Sequence, residues 1–211
     1  SLICLNMQLK QVFDDYHQLT KQLVDEGIIQ GLRIDHVDGL ADPTVYLHQL
    51  RELCGDEIYI VVEKILESGE ELPKNWPIQG STGYDYLGLA NQLFTSTDTK
   101  KHFSRTYEMF AGKQARVEDQ ILEKKKAFFE NYMQGELENL YQLTLKLLPN
   151  SSKLQQPLII KELIASILVE LPVYRLYNNG NGLEGNQKKI FNHIFEKLER
   201  ADKFKTILPE F

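Results

Sequence analysis

Two short apolar runs bound what this chain can fold into. Ile58-Tyr59-Ile60-Val61-Val62 is β-branched and shows no alternation with polar residues, the pattern of a strand buried on both faces. Ile28 to Ile34, broken by Gly31, reads as a second strand. Between them, Asp42-Pro43 supplies an N-cap and a proline at the first helical position. Leu47, Leu50 and Leu53 fall on one side of a helix over 43–54 that stops at Gly55. Strand, helix, strand is the grammar of a right-handed crossover with parallel strands. A further amphipathic helix is expected over 11–26, with Val12, Tyr16, Leu19 and Leu23 on its apolar face and Gly27 as its C-cap.

The pattern changes after Glu63. Residues 64–84, with Pro73, Trp76, Pro77, Gly80 and Gly83, read as a loop too long for a simple connector, and long ordered loops tend to be functional. Helices are then expected over 85–94, 98–110, one long segment near 115–148, 157–170 and 184–199. Pro149, Pro157 and Pro172 punctuate them, and Asn178 to Asn181 with Gly180 and Gly182 reads as a turn. Lys124-Lys125-Lys126 reads as a solvated face. The expected fold class is therefore α/β and helix-rich, with two strands in residues 1–84 and an all-helical subdomain over 85–211.

Lysine and arginine number 24 against 30 aspartates and glutamates, a net charge of -6. A nucleic-acid binder would carry a clustered basic excess, so that class is set aside. No apolar stretch reaches the roughly 18 residues of a membrane helix, and no signal peptide is visible at the start. Cys4 and Cys54 make neither a disulfide framework nor a zinc pattern. A reduced, cytoplasmic chain without a metal is the expectation, and its start at Ser1 suggests a piece of a longer polypeptide.

Asp35 and Glu63 are the informative pair. Each stands just after an expected strand, and 28 residues separate them. In one crossover unit both would project from the same C-terminal sheet edge, where barrel enzymes keep their sites. On neighbouring strands they would sit roughly 5 Å apart, the spacing of retaining glycosidases. With another strand between them the spacing would double and leave that range. Arg33, two residues before Asp35, points to the same side and would hold that carboxylate ionised and oriented as a nucleophile. Glu63 would serve as acid and base. Acids at strand ends also cap helices, bind metals or do nothing chemical.

The segment Gly31-Leu32-Arg33-Ile34-Asp35-His36-Val37-Asp38-Gly39-Leu40-Ala41-Asp42-Pro43 resembles the nucleophile region of the maltooligosyl trehalose synthase family, within the α-amylase superfamily (glycoside hydrolase family 13). Tyr59-Ile60-Val61-Val62-Glu63-Lys64-Ile65-Leu66 is similar to the family's acid/base region. Gly69-Glu70-Glu71-Leu72-Pro73, Trp76-Pro77, Gly80-Ser81-Thr82-Gly83-Tyr84-Asp85, Glu162-Leu163-Ile164-Ala165-Ser166 and Leu171-Pro172-Val173-Tyr174-Arg175 also match, in order. An isolated RxDH would say little; the ordered set carries the resemblance. It implies a partial (β/α)8 TIM barrel followed by a helical insertion. The implied activity is conversion of the reducing-end α-1,4 link of a maltooligosaccharide into an α,α-1,1 trehalose link, without cofactor or metal. Asp35 would be nucleophile and Glu63 acid/base, with Arg33 beside them. The third carboxylate of the superfamily, an aspartate after a histidine, has no counterpart, because no His-Asp pair occurs here. The early-strand histidine motif is missing too. An internal piece of the enzyme, inactive alone and completed by the remainder of the parent chain, is the implied state.

Other residues carry two readings each. His36 and Lys64 are substrate contacts or structural, and Trp76 is a glucose-stacking platform or a loop anchor. Tyr84 is a substrate contact, while Asp85 reads first as a helix cap. Asp38-Gly39 reads as a turn and Asp42 as a cap, and Arg175 as part of a structural ion pair. His17, His48, His102 and His193 read as structural or exposed. Two other functions compete: a 4-α-glucanotransferase with the same carboxylate chemistry, and a non-catalytic α-glucan-binding domain.

Overall fold

The computed structural model describes residues 5–112, 116–148, 156–178, 182–183, 185–205 and 207–210. Cys4, Pro149 and the Asn179–Asn181 part of the expected turn lie outside the described residues. The chain divides into two units, one of residues 1–96 with 175–182, the other of residues 97–174 with 183–211.

The first unit is built on a crossover. Helix α1 (Lys10–Asp25) leads to strand β1 (Gly31–Ile34), helix α2 (Pro43–Cys54) and strand β2 (Tyr59–Val62). Gly27 adopts φ +68°, and its N–H and that of Ile28 bond to Val24 and Leu23 carbonyls, the left-handed closure that ends a helix. Asp42 caps α2 through the Val45 N–H at 3.0 Å, with Pro43 at the first position. Gly55 closes it at φ +86°. β1 and β2 pair in parallel, Gly31 with Tyr59 through Ile34 with Val62.

Three expectations need correction. A third strand, β3 (Gly80–Ser81), pairs in parallel with β2, so the sheet has order β1-β2-β3. Two residues, one a glycine, carry no β-branched signal, which is why 64–84 read as loop throughout. β2 is not buried on both faces: Ile60 and Val62 are fully buried, but Tyr59 is 57% exposed. Only the side facing the helices is covered. On α1 the buried residues are Phe13 and His17, while Tyr16 and Leu19 are exposed. His17 belongs to the core because both ring nitrogens are satisfied: Nδ1 donates to the Phe13 carbonyl at 2.7 Å, and Nε2 lies 2.9 Å from the Tyr46 hydroxyl.

Phe13, Leu50, Cys54, Ile58 and Ile60 form one apolar cluster under the sheet. Val37, Leu47, Val62 and Trp76 form a second beneath its C-terminal edge. Arg51 ties the start of β2 to the following loop. Its guanidinium donates to the carbonyls of Ile58 at 2.6 Å and of Pro77 at 2.8 and 3.0 Å. Helix α3 (Tyr84–Gln92) completes this unit.

The second unit contains helices α4 (Lys100–Ala111), α5 (Val117–Tyr132), α6 (Gln134–Leu147), α7 (Pro157–Glu170) and α8 (Gly185–Glu199). Its core is formed by Leu137, Tyr141, Ile160, Leu163, Ile164, Ile194, Leu198, Phe204, Ile207 and Leu208. The segment expected as one long helix breaks at Met133 (φ −113°, ψ 25°). Gln134 Nε2 donates to the Phe129 carbonyl at 3.0 Å, and Gly135 in the next turn has low helix propensity. Lys125 is not merely solvated, since its Nζ donates to the Leu171 carbonyl at 2.7 Å. Beyond β3 no strand occurs among the described residues. No helix among them is long and apolar enough to cross a membrane.

The Asp42 cap predicts that Asp42→Ala lowers stability by about 1 kcal/mol and that Asp42→Ser restores most of it, as read by urea denaturation.

Candidate active site

One residue beyond the last β1–β2 pair, Asp35 comes alongside Glu63, and the Glu63 N–H donates to the Ile34 carbonyl at 2.7 Å. The two acids therefore stand on adjacent parallel strand ends, separated by one strand spacing of about 4.8 Å. Arg33 and Asp35 make the expected pair, Nη1 to Oδ1 at 2.6 Å. Both are open to solvent, with side chains 51% and 70% exposed.

His36 takes a left-handed conformation, φ 49° and ψ 45°, rare for a residue other than glycine and of a kind that clusters at functional sites. Its N–H donates to Glu63 Oε2 at 2.9 Å. The turn therefore links the loop after the first acid to the carboxylate of the second. Gly39 is needed beneath it, because a Cβ there would lie 2.4 Å from the His36 ring.

Lys64 is no surface residue. Its side chain is fully buried and its ammonium pairs with Asp38 at 3.2 Å and Glu70 at 3.0 Å. Tyr177 donates its hydroxyl to Asp38 Oδ1, and its ring lies 5.5 Å from the Lys64 ammonium. Burial first, then the hydrogen bond to Asp38, pushes the Tyr177 phenol far above the usual tyrosine range, so this hydroxyl stays a donor. Asp38 thus does more than turn the chain. Among the described residues no carboxylate pairs with Arg175; its guanidinium donates to the carbonyls of Asp38, Leu40 and Ala41.

Trp76 is 5% exposed. Its Nε1 donates to Thr44 Oγ1 at 2.9 Å and its ring meets Tyr177 edge-on. A covered indole offers no open face for a sugar, so it anchors the loop. Tyr84 is 37% exposed at the start of α3. Asp85 accepts from Ser81 Oγ at 2.7 Å, which with backbone N–H groups of the first turn holds its carboxyl below the usual range. The sequence reading missed Asp38, Glu70 and Tyr177 as partners of Lys64. Only the buried-type position of Lys64, two after Val62 in the strand alternation, hinted at it. Among the described residues no group of three or more His, Cys, Asp or Glu side chains is placed to hold a metal ion.

An arginine-held carboxylate and a second carboxylate on neighbouring parallel strand ends are the parts that two-carboxylate glycoside chemistry requires. No family model matches the chain. Two curated proteins of Mycobacterium tuberculosis, from strains CDC 1551 and H37Rv, are named for maltooligosyl trehalose synthase. Each is 49% identical over 87 residues, 41% of this chain and 11% of theirs. The maltooligosyltrehalose synthase structure from Arthrobacter ramosus matches 97% of this chain at TM-score 0.79 and 26% identity, and 25% of its own length is covered. The DSM5389 glycosyltrehalose synthase matches with TM-score 0.73 and 28% identity, again over 97% of this chain and 25% of that one. The chain is thus similar to the maltooligosyl trehalose synthases over part of their length. It spans about a tenth of the curated relatives and a quarter of the solved ones.

Removing the buried ammonium leaves Asp38 and Glu70 facing each other unneutralised. Lys64→Met is expected to cost about 3–5 kcal/mol, read as a drop in the thermal or denaturant midpoint of the chain.

Proposed function

We propose that this chain is part of the catalytic region of a (1→4)-α-D-glucan 1-α-D-glucosylmutase, a maltooligosyl trehalose synthase. In this reading the first unit, residues 1–96 with 175–182, contributes to a partial (β/α)8 barrel, and the second unit, residues 97–174 with 183–211, is a helical subdomain. The observation that supports it best is the adjacency of Asp35 and Glu63 on parallel strand ends, together with the named relatives.

Asp35 attacks the anomeric carbon of the penultimate glucose of a maltooligosaccharide, and a covalent glycosyl–Asp35 ester forms as the α-1,4 bond breaks. Glu63 gives its proton to the leaving glucose oxygen. The released glucose turns within the site. Its anomeric hydroxyl loses a proton to Glu63 and attacks the same carbon, expelling Asp35 and closing the α,α-1,1 link. Two inversions retain the α configuration. No atom is gained or lost, so the reaction is an isomerisation with no net redox change, and Asp35 and Glu63 supply the nucleophile and the proton transfers.

Arg33 keeps Asp35 aimed and ionised by the 2.6 Å contact. His36 and Tyr84, both exposed, are the sugar contacts in this assignment. Lys64 and Trp76 serve the site by fixing the loops around it. The sheet face carrying Tyr59, Arg33 and Asp35 is uncovered. We assign its cover, and the third carboxylate, to the remainder of a parent chain. The absence of a disulfide framework fits a cytoplasmic enzyme.

In the natural full-length protein, Asp35→Asn and Glu63→Gln are each expected to lower turnover at least a hundredfold with substrate binding largely kept. Maltopentaose should give non-reducing trehalosyl product. A ladder of reducing oligosaccharides would instead identify a 4-α-glucanotransferase, and binding without turnover a glucan-binding domain. The 211-residue chain alone should fold and give no product.

A further inference from the structure

Among the described residues one buried side-chain oxygen has no hydrogen-bond partner, Thr82 Oγ1. Its position is specific. One residue past the last β2–β3 pair, Val62 with Ser81, Thr82 comes alongside Glu63, and its N–H donates to the Val62 carbonyl at 3.0 Å. Asp35, Glu63 and Thr82 therefore follow one another across the three strand ends at one edge. Thr82 stands in the bend just past β3, and the pairing of β2 with β3 sets its backbone beside that of Glu63.

The groups on either side of Thr82 in the chain are occupied. Ser81 Oγ donates to Asp85, and the Gly83 N–H donates to Ser81 Oγ. A buried hydroxyl without a partner lowers stability, and an apolar side chain of the same shape would remove that cost. A group kept at such cost beside a reactive carboxylate calls for a role there.

Resting on the glucan-isomerase reading above, we propose that Thr82 is a positioning residue for Glu63. Its hydroxyl takes up the Glu63 carboxyl when substrate is bound. A hydroxyl is a neutral group that can donate to a carboxylate and accept from a carboxylic acid. It therefore suits a residue that gives a proton in one half of the reaction and takes one in the other. The His36 N–H can only donate, and it holds Oε2. Together the two partners would keep the carboxyl plane fixed through both protonation states.

The test compares Thr82→Val and Thr82→Ser in the natural full-length protein, with maltopentaose as substrate. Valine keeps the shape and removes the hydroxyl. The expected result is a thermal midpoint equal to or above wild type, kcat down at least tenfold, KM within threefold, and a displaced pH–rate limb. Serine should restore kcat to within threefold of wild type. A valine variant with kcat within twofold of wild type overturns the proposal, as does a lowered midpoint with kcat and KM falling together. If the wild-type protein itself makes no trehalosyl product, the functional reading fails and the inference falls with it.

Discussion

The Lys64 ammonium is the contact on which the carboxylate edge depends. An isolated charge in that position would be very costly to bury, and it is stable there only because Asp38 and Glu70 sit within 3.2 Å. Those partners come from different places: the turn after β1 and the loop after β2. Tyr177 reaches the same aspartate from the returning segment 175–182. Lys64 must therefore point inward, as Val62 does, and the residue between them is turned to the other side of the sheet. Glu63 owes its orientation to the burial of its two neighbours.

The same edge combines precise and permissive elements. The β1–β2 register is continuous over four pairs, so the backbone positions of both acids follow from regular geometry. The turn that follows β1 is irregular, with His36 at positive φ packed over Gly39. Regular strands bring the acids together, and the irregular turn supplies the N–H that one of them accepts. A substitution at Gly39 would be felt at Glu63 through His36, although Gly39 touches neither acid.

Much of this was legible in the sequence because local signals and tertiary structure agree. Asp42, Pro43, Gly55 and Gly27 mark helix ends by their own backbone preferences, and the crossover pattern placed β1 and β2 parallel in one sheet, while their adjacency came from the pairing itself. The misses share a different origin. β3 is two residues long and is held by pairing with β2, which no local pattern announces. The open face of β2 could not be read because a run of apolar residues does not say which side is covered. The Lys64 cluster joins residues up to 139 apart, and Trp76 read equally well as platform or anchor until its neighbours were known. The break at Met133 lay hidden because helical periodicity continues across it.

The return of residues 175–182 to the first unit also has a consequence in time. Asp38 receives its contacts from Arg175 and Tyr177 across separations of 137 and 139 residues. At roughly 5–20 residues per second of synthesis, the crossover that carries both acids leaves the ribosome on the order of ten seconds before the segment that completes the Asp38 cluster. During that interval Lys64 has Asp38 and Glu70 but lacks the Tyr177 ring. The acids are thus laid down early and their surroundings late. A ribosome that stalls within the helical stretch would leave the strand pair formed and the edge around it unfinished.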